Sequence, residues 1–159
     1  MEYDVVNGFK TTLKELLTDN GFNATSFSRA IGVNMFVVRK WLNEVKDVKL
    51  KSLIKIADFF GCSLEYLCGK SDVLLTYEPQ PLPPFDERIK TVLHSCGKTS
   101  YRLLTDTAIA PSQYHGWLHG TMPMLTTLET IAEYLNGTLD YLVGRQSSKE
   151  TFIFSSLYT

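Results

Sequence analysis

Hydrophobic positions along the chain recur at helical spacing, and their whole arrangement occurs twice. The first occurrence comprises Phe9, Leu13, Leu16, Leu17, Gly21, Phe27, Val33, Trp41 and Leu42. The same pattern returns 76 positions later as Phe85, Ile89, Val92, Leu93, Gly97, Leu103, Ile109, Trp117 and Leu118. One residue is then dropped, and at a distance of 75 positions Leu53, Ile56, Ala57, Leu64, Tyr66, Leu67 and Gly69 reappear as Leu128, Ile131, Ala132, Leu139, Tyr141, Leu142 and Gly144. A repeat of this length predicts one small folded unit, with its own core, used twice.

The spacing within each copy predicts five short helices. Apolar residues at i, i+4, i+7 and i+8 place one face of a first helix in the core. Asn23 and Thr99 are predicted to cap the second helix of each copy, and Asn34 the third helix of the first copy. Pro111 suits the first turn of the corresponding third helix. The predicted fold class is therefore all-α, with two tandem five-helix domains.

Composition shifts predict the boundaries of these domains. We assign residues 1–70 and 85–146 to the two domains, 71–84 to a linker and 147–159 to a short apolar C-terminal tail. The linker contains four prolines, which preclude a continuous helix and favour an extended spacer. The segments VLLTY and TFIFSSLY occupy similar places after each copy. They either pair with one another or cover the junction of the domains, or the tail is a frayed end.

Charge and cysteine content narrow the function classes. Residues 1–72 carry ten Lys/Arg against nine Asp/Glu, whereas residues 73–159 carry six against eight. Strong nonspecific nucleic-acid binding usually shows a larger basic excess, so any basic surface is expected to be local.

The three cysteines form no CxxC pair and are expected to be reduced thiols. With neither a signal peptide nor an apolar membrane span in the sequence, we expect a cytoplasmic protein without membrane association.

The sequence does not predict a catalytic site or a metal site. It contains no GxSxG, no phosphate-binding loop and no paired-carboxylate arrangement, so we predict no enzyme activity and no cofactor. His115 and His119 are spaced i, i+4 on the predicted third helix of the second copy, like half of a metal site. A polar pair on the outer face of that helix is the interpretation we favour, and no metal is predicted.

Four segments, two in each copy, resemble a known family of DNA-binding proteins. FFGCSLEYLCGKSD and LNGTLDYLVGRQSS resemble the closing signature of the lambda repressor/Cro-type, or XRE, family. KTSYRLLTDTAIAPSQYHGWLHG and, less closely, SFSRAIGVNMFVVRKWLNE resemble its helix-turn-helix core. The resemblance implies lambda-repressor-like domains that bind double-stranded DNA in a sequence-specific manner, usually as repressors. In that family the third helix enters the major groove and its N-terminal residues contact base edges.

The resemblance also implies which residues face DNA. The base-reading candidates are Asn34, Met35, Phe36, Val37, Arg39 and Lys40 in the first copy, and Ala110, Pro111, Ser112, Gln113, His115 and Gly116 in the second. The phosphate-contact candidates are Asn23, Asn43, Lys46, Lys49, Lys51, Thr99, Ser100, His119, Thr126 and Thr127.

The first copy departs from the family pattern in its third helix. Bidentate hydrogen bonds to bases use Arg, Lys, Gln or Asn, but this helix begins with Met35, Phe36 and Val37. These side chains could contact thymine methyl groups. Alternatively, they form a protein interface on a scaffold reused for protein binding, for example by a mobile-element inhibitor of a host defence nuclease. The expected partners are thus double-stranded DNA, with a covalent pseudo-dimer or a homodimer as the binding unit, or a protein bound through this apolar helix.

Overall fold

The computed structural model describes residues 4–74 and 76–146 of the chain, in which it contains ten α-helices and no strand. The helices of the first half are α1 Val5–Asp19, α2 Ala24–Ile31, α3 Met35–Asn43, α4 Leu50–Phe60 and α5 Leu64–Leu67. Those of the second half are α6 Phe85–Ser95, α7 Ser100–Asp106, α8 Pro111–Leu118, α9 Leu125–Leu135 and α10 Leu139–Val143. The predicted all-α class is therefore confirmed.

The chain divides into two compact units, with the division between Pro79 and Gln80. The first unit contains α1 to α5 and the second contains α6 to α10. Corresponding helices begin 76 positions apart for α2 and α7 and for α3 and α8, and 75 positions apart thereafter. The exception is α6, which begins only at Phe85 because Pro83 and Pro84 precede it. The predicted boundaries of linker and tail remain predictions, and the tail lies outside the described residues.

The core of the first unit is built from one apolar face of each helix. Phe9 and Leu13 of α1, Phe27 of α2 and Val38 of α3 are each fully buried. Trp41 is also buried, and its ring meets the Phe9 ring edge-on at a centroid distance of 6.4 Å. Burying a large apolar side chain stabilises a domain by roughly 1.5–3 kcal/mol. The i, i+4 pattern seen in the sequence is thus the pattern of the core.

The helix boundaries follow the predicted capping residues. Asn23 accepts a hydrogen bond from the Ser26 N–H, and Thr99 accepts one from the Arg102 N–H. Asn34 accepts from the Phe36 N–H at the start of α3. Each bond satisfies a donor that the first turn of a helix leaves without a helical partner. These predicted caps are confirmed, and Ser63 and Thr138 likewise cap the fifth helices, which begin at Leu64 and Leu139.

The two units differ in the side chains that pack around the start of their second helix. In the first unit Phe22, Phe27, Phe59 and Phe60 form one cluster, with ring centroids 5.0–6.4 Å apart. The corresponding residues of the second unit are Lys98, Leu103, Tyr134 and Leu135. There the Lys98 ammonium lies 5.3 Å from the centre of the Tyr134 ring, and the Tyr134 hydroxyl donates to Asp106 at 2.7 Å. An aromatic cluster has therefore been replaced by a polar network.

Candidate nucleic-acid interface

The turn between α2 and α3 sets the angle between these two helices. Gly32 ends α2 with φ of 72°, a left-handed conformation that glycine adopts without steric cost. The Val33 N–H then donates to the Ser28 carbonyl at 3.0 Å, which closes the turn. Ile31 packs inward on one side of it, and Val38 packs inward on the other. The N-terminal half of α3 is left at the surface.

The three apolar residues that begin α3 have different environments. Met35 is half-buried, and the Thr25 hydroxyl of α2 donates to its sulfur at 3.2 Å. Phe36 and Val37 are exposed by 72% and 41%. Val38, the next residue, is fully buried and is therefore a core position of this helix. Phe36 and Val37 therefore form an exposed apolar surface, and contact with another molecule would remove this surface from water.

Exposed basic residues follow this apolar pair along the chain, from α3 to the start of α4. Five of the predicted contact residues of the first unit are exposed cations, namely Arg39, Lys40, Lys46, Lys49 and Lys51. Asn23 and Asn34 are exposed too, but their side-chain oxygens already cap α2 and α3. Asn43 is exposed at the end of α3. Its backbone carbonyl accepts a hydrogen bond from the Lys10 ammonium at 3.4 Å. The first unit thus brings a cationic and apolar surface together at α3 and the start of α4.

The second unit presents polar, uncharged residues at the same place. Pro111, Ser112 and Gln113 are exposed in the first turn of α8. Gln113 Oε1 accepts a hydrogen bond from the Ala110 N–H at 2.8 Å, so the side chain caps its own helix. Thr99 is likewise occupied as the cap of α7, and Ser100 follows it half-buried. Ala110 and Gly116 offer no polar side chain.

One open cavity joins several of these residues in the second unit. It has a volume of about 190 Å³ and is lined by Ala108, Ile109, Gln113, Thr126, Thr127 and Thr130. Gln113 from α8 and the threonines from the first half of α9 therefore face the same space. The wall is uncharged. The Thr130 hydroxyl donates to the Thr126 carbonyl at 3.0 Å, so the Gln113 amide and the Thr127 hydroxyl are the donors that can reach phosphate or base oxygens.

His115 and His119 lie side by side on the exposed surface of α8, with ring centroids 4.3 Å apart. His119 is the residue after the last helical residue, Leu118, so the expectation of both histidines within one helix is wrong by one position. Its Nδ1 lies 2.9 Å from the His115 carbonyl oxygen. In the described part of the chain no group of three or more potential metal ligands comes together.

Three exposed residues near these positions were not singled out by the sequence. Tyr101 at the start of α7 and Met122 before α9 are exposed by 72% and 43%. Tyr101 occupies the position of Thr25 in the first unit. A comparison of the two copies would therefore have identified Tyr101 as a large residue at a position that is small in the first copy. Lys55 is exposed one turn after Lys51 on α4. Its i+4 spacing from Lys51 would have identified it as part of the same basic surface.

Comparison with known proteins supports a nucleic-acid role for the first unit. Residues 12–69 match the family model of the Cro/C1-type HTH DNA-binding domain. This match covers about a third of the chain and contains α2, α3 and the basic residues described above. Searches of curated proteins and of solved structures give no match. Separately, no helix among the described residues has the length and apolar character to cross a bilayer.

Proposed function

We propose that this protein is a sequence-specific regulator that binds double-stranded DNA through α3 and α8, acting as a repressor. The observation that carries the proposal is the match of residues 12–69 to a DNA-binding domain, because that segment contains an exposed third helix flanked by cations. The repeat extends the proposal to the second unit, whose α7 and α8 begin 76 positions after α2 and α3. Each unit would then contact one half-site.

The length of the connection allows both units to bind one duplex. Half-sites one helical turn apart are separated by about 34 Å. The Tyr77 N–H donates to the Gly61 carbonyl at 2.9 Å, so only residues 78–84 connect the units freely. They span up to about 24 Å when fully extended, and the width of each unit adds to this reach. The chain would then act as a covalent pseudo-dimer, in which a single molecule occupies two half-sites. A homodimer of the chain is the alternative binding unit.

Gln113 is the side chain with the clearest base-reading chemistry. Because its Oε1 accepts from the Ala110 N–H, its amide NH₂ is the end that remains for DNA. A bidentate contact to adenine requires both the oxygen and the NH₂ of the side chain, whereas guanine presents two acceptors, N7 and O6. We therefore expect α8 to favour guanine over adenine at the base pair that Gln113 contacts.

Selection from a random duplex library, with the bound pools sequenced, tests the proposed function. Two enriched half-sites about one turn apart are expected if both units bind. The Gln113→Glu variant keeps an oxygen for the Ala110 N–H but removes the NH₂ donors, so preference for one base pair should fall about tenfold. The Ser112→Ala variant is the matched test at the neighbouring position. A wild-type chain that enriches no sequence at low salt would contradict the proposal.

A second candidate function is protein binding through α3 of the first unit. The specific observation that favours it is the 72% exposure of Phe36 beside the exposed Val37. Sedimentation velocity over a range of protein concentrations tests self-association through this surface. Phe36→Ser should keep the chain monomeric if Phe36 is the contact, whereas Tyr101→Ser is a control with an equally exposed aromatic residue. The same sedimentation profile for wild type and Phe36→Ser would count against a homodimer contact here.

A further inference from the structure

The two units differ systematically in charge on the surface formed by their third and fourth helices. The first unit has exposed cations at five positions of this surface, namely Arg39, Lys40, Lys49, Lys51 and Lys55. The corresponding residues of the second unit are His115, Gly116, Met124, Thr126 and Thr130. Every cation has been replaced by a residue that carries no fixed positive charge. Chance variation on a solvated surface would be expected to exchange charges in both directions, not to remove all five.

The cations of the first unit are positioned to meet an external partner. Within the described residues none of these five side chains forms an ion pair, and each is exposed to solvent. Lys49 directly precedes α4 and is exposed to solvent. Three acidic residues lie on or between the same elements, namely Glu44 and the half-buried Asp47 between α3 and α4, and the half-buried Asp58 late in α4. They leave the surface with a clear positive excess.

Most cations of the second unit, by contrast, are used within it. Arg88 donates to the Tyr141 carbonyl and lies over the Tyr141 ring, with 5.0 Å to the ring centre. Arg145 pairs with Asp140, and Arg102 pairs with Asp106. The Lys98 ammonium lies over the Tyr134 ring. These contacts hold the positive charges against partners in the same unit.

Phosphate contacts and base contacts make separable contributions to DNA binding. Contacts between cations and phosphates supply affinity that does not depend on sequence, and they release counterions, so that affinity falls steeply with salt. Hydrogen bonds to base edges supply discrimination among sequences. These two properties are concentrated in different units of this chain. Positive charge is concentrated in α3 and α4 of the first unit, and uncharged hydrogen-bonding side chains in α8 of the second unit.

We propose that the two units divide these contributions: the first holds the phosphate backbone through its five cations, and the second discriminates among bases through Ser112 and Gln113. This inference rests on the proposed DNA-binding function and deepens it. The first unit would set the salt dependence of binding, with Phe36 and Val37 adding apolar contact to thymine methyl groups. The second unit, with few free cations, would contribute little affinity to a random sequence.

Fluorescence anisotropy with two 30-base-pair duplexes tests this division, one of random sequence and one enriched by selection. Affinities are measured for the full chain between about 50 and 300 mM salt, a range in which phosphate contacts dominate the change. In the triple variant Lys49→Gln, Lys51→Gln, Lys55→Gln, the slope of log affinity against log salt should become shallower by about 2–3, at about 0.9 per lost contact. Its preference for the enriched duplex over the random one should stay within about twofold of wild type.

Two further variants separate the possible results. Gln113→Glu should reduce the preference for the enriched duplex about tenfold, with a salt slope that changes by less than about 1. The control Lys14→Gln, Lys90→Gln removes exposed lysines of α1 and α6 and should leave both quantities unchanged. An unchanged salt slope in the triple variant, with wild type still bound to DNA, would overturn the division of roles. No binding of either duplex by wild type at 50 mM salt would overturn the proposed function itself, and the basic and apolar surface of α3 would then be assigned to an acidic protein.

Discussion

Arg145 and Asp140 form an ion pair that is almost closed to solvent, with 3.0 Å between Arg145 Nη1 and Asp140 Oδ1. Their side chains are exposed by only 4% and 0%. The repeat places Lys70 and Glu65 at the corresponding positions of the first unit, where the pair is longer, at 3.6 Å, and more accessible. The same contact at the end of the fifth helix is therefore buried in one unit and partly hydrated in the other.

Removal of one partner should consequently destabilise the two units unequally. Arg145→Met leaves a buried carboxylate without its cation and should lower the unfolding free energy of the second unit by about 3–5 kcal/mol. Lys70→Met is the matched comparison at the less buried pair and should cost less, about 1–3 kcal/mol. Urea unfolding followed by tryptophan fluorescence measures both, with Trp41→Phe and Trp117→Phe backgrounds to report each unit separately. Equal losses in the two units would show that burial does not set the strength of this pair.

The residues that end α4 and α9 give a second comparison across the repeat. Gly61 ends α4 with φ of 65°, whereas Asn136 ends α9 with φ of 53°, the one residue other than glycine in the described part of the chain with a positive φ. Asn136→Gly should therefore be neutral or slightly stabilising. Gly61→Ala should cost about 1–2 kcal/mol, because a Cβ disfavours the left-handed conformation. Thermal unfolding of both variants measures the effect, and a stabilising Gly61→Ala would contradict the argument.

Adjacent valines of α3 should respond very differently to truncation. Val38 is fully buried and Val37 is exposed. Val38→Ala should lower stability by about 1–3 kcal/mol through lost burial and the cavity left behind, whereas Val37→Ala should change it by less than about 0.5 kcal/mol. Chemical denaturation of the two variants side by side measures this. A large loss for Val37→Ala would mean that this side chain is covered by part of the molecule.

Tyr134 should titrate late because of Asp106. The hydrogen bond that the hydroxyl donates to Asp106 raises the pKa of Tyr134 above its ordinary value near 10. The stabilisation from this bond is therefore complete below pH 10 and is lost as the pH rises through the raised pKa, so it does not vary between pH 6 and 8. Phenolate absorbance should show one tyrosine whose titration moves to lower pH in Asp106→Asn. No movement would assign the late titration to another tyrosine.

The helical repeat was readable from the sequence because it depends on spacing alone. Apolar residues such as Phe9 and Leu13 define one helix face by their separation, and the caps Asn23 and Thr99 act on N–H groups within three residues. The placement of His119 on the third helix of the second copy was less well determined. His119 falls just outside α8, because helix ends depend on small differences in local hydrogen bonding.

The sequence by itself determined that the protein is helical, that its hydrophobic pattern occurs twice, and most of the apolar residues of each core, since periodicity fixes these without knowledge of distant contacts. Only the tertiary structure decided which surface residues are available. It showed that Gln113 commits its oxygen to the Ala110 N–H, that Met35 lies against Thr25 while Phe36 remains exposed, and that Arg88 and Arg145 are held within the second unit. Those facts depend on groups brought together by packing, and a list of residue types does not contain the distances between them.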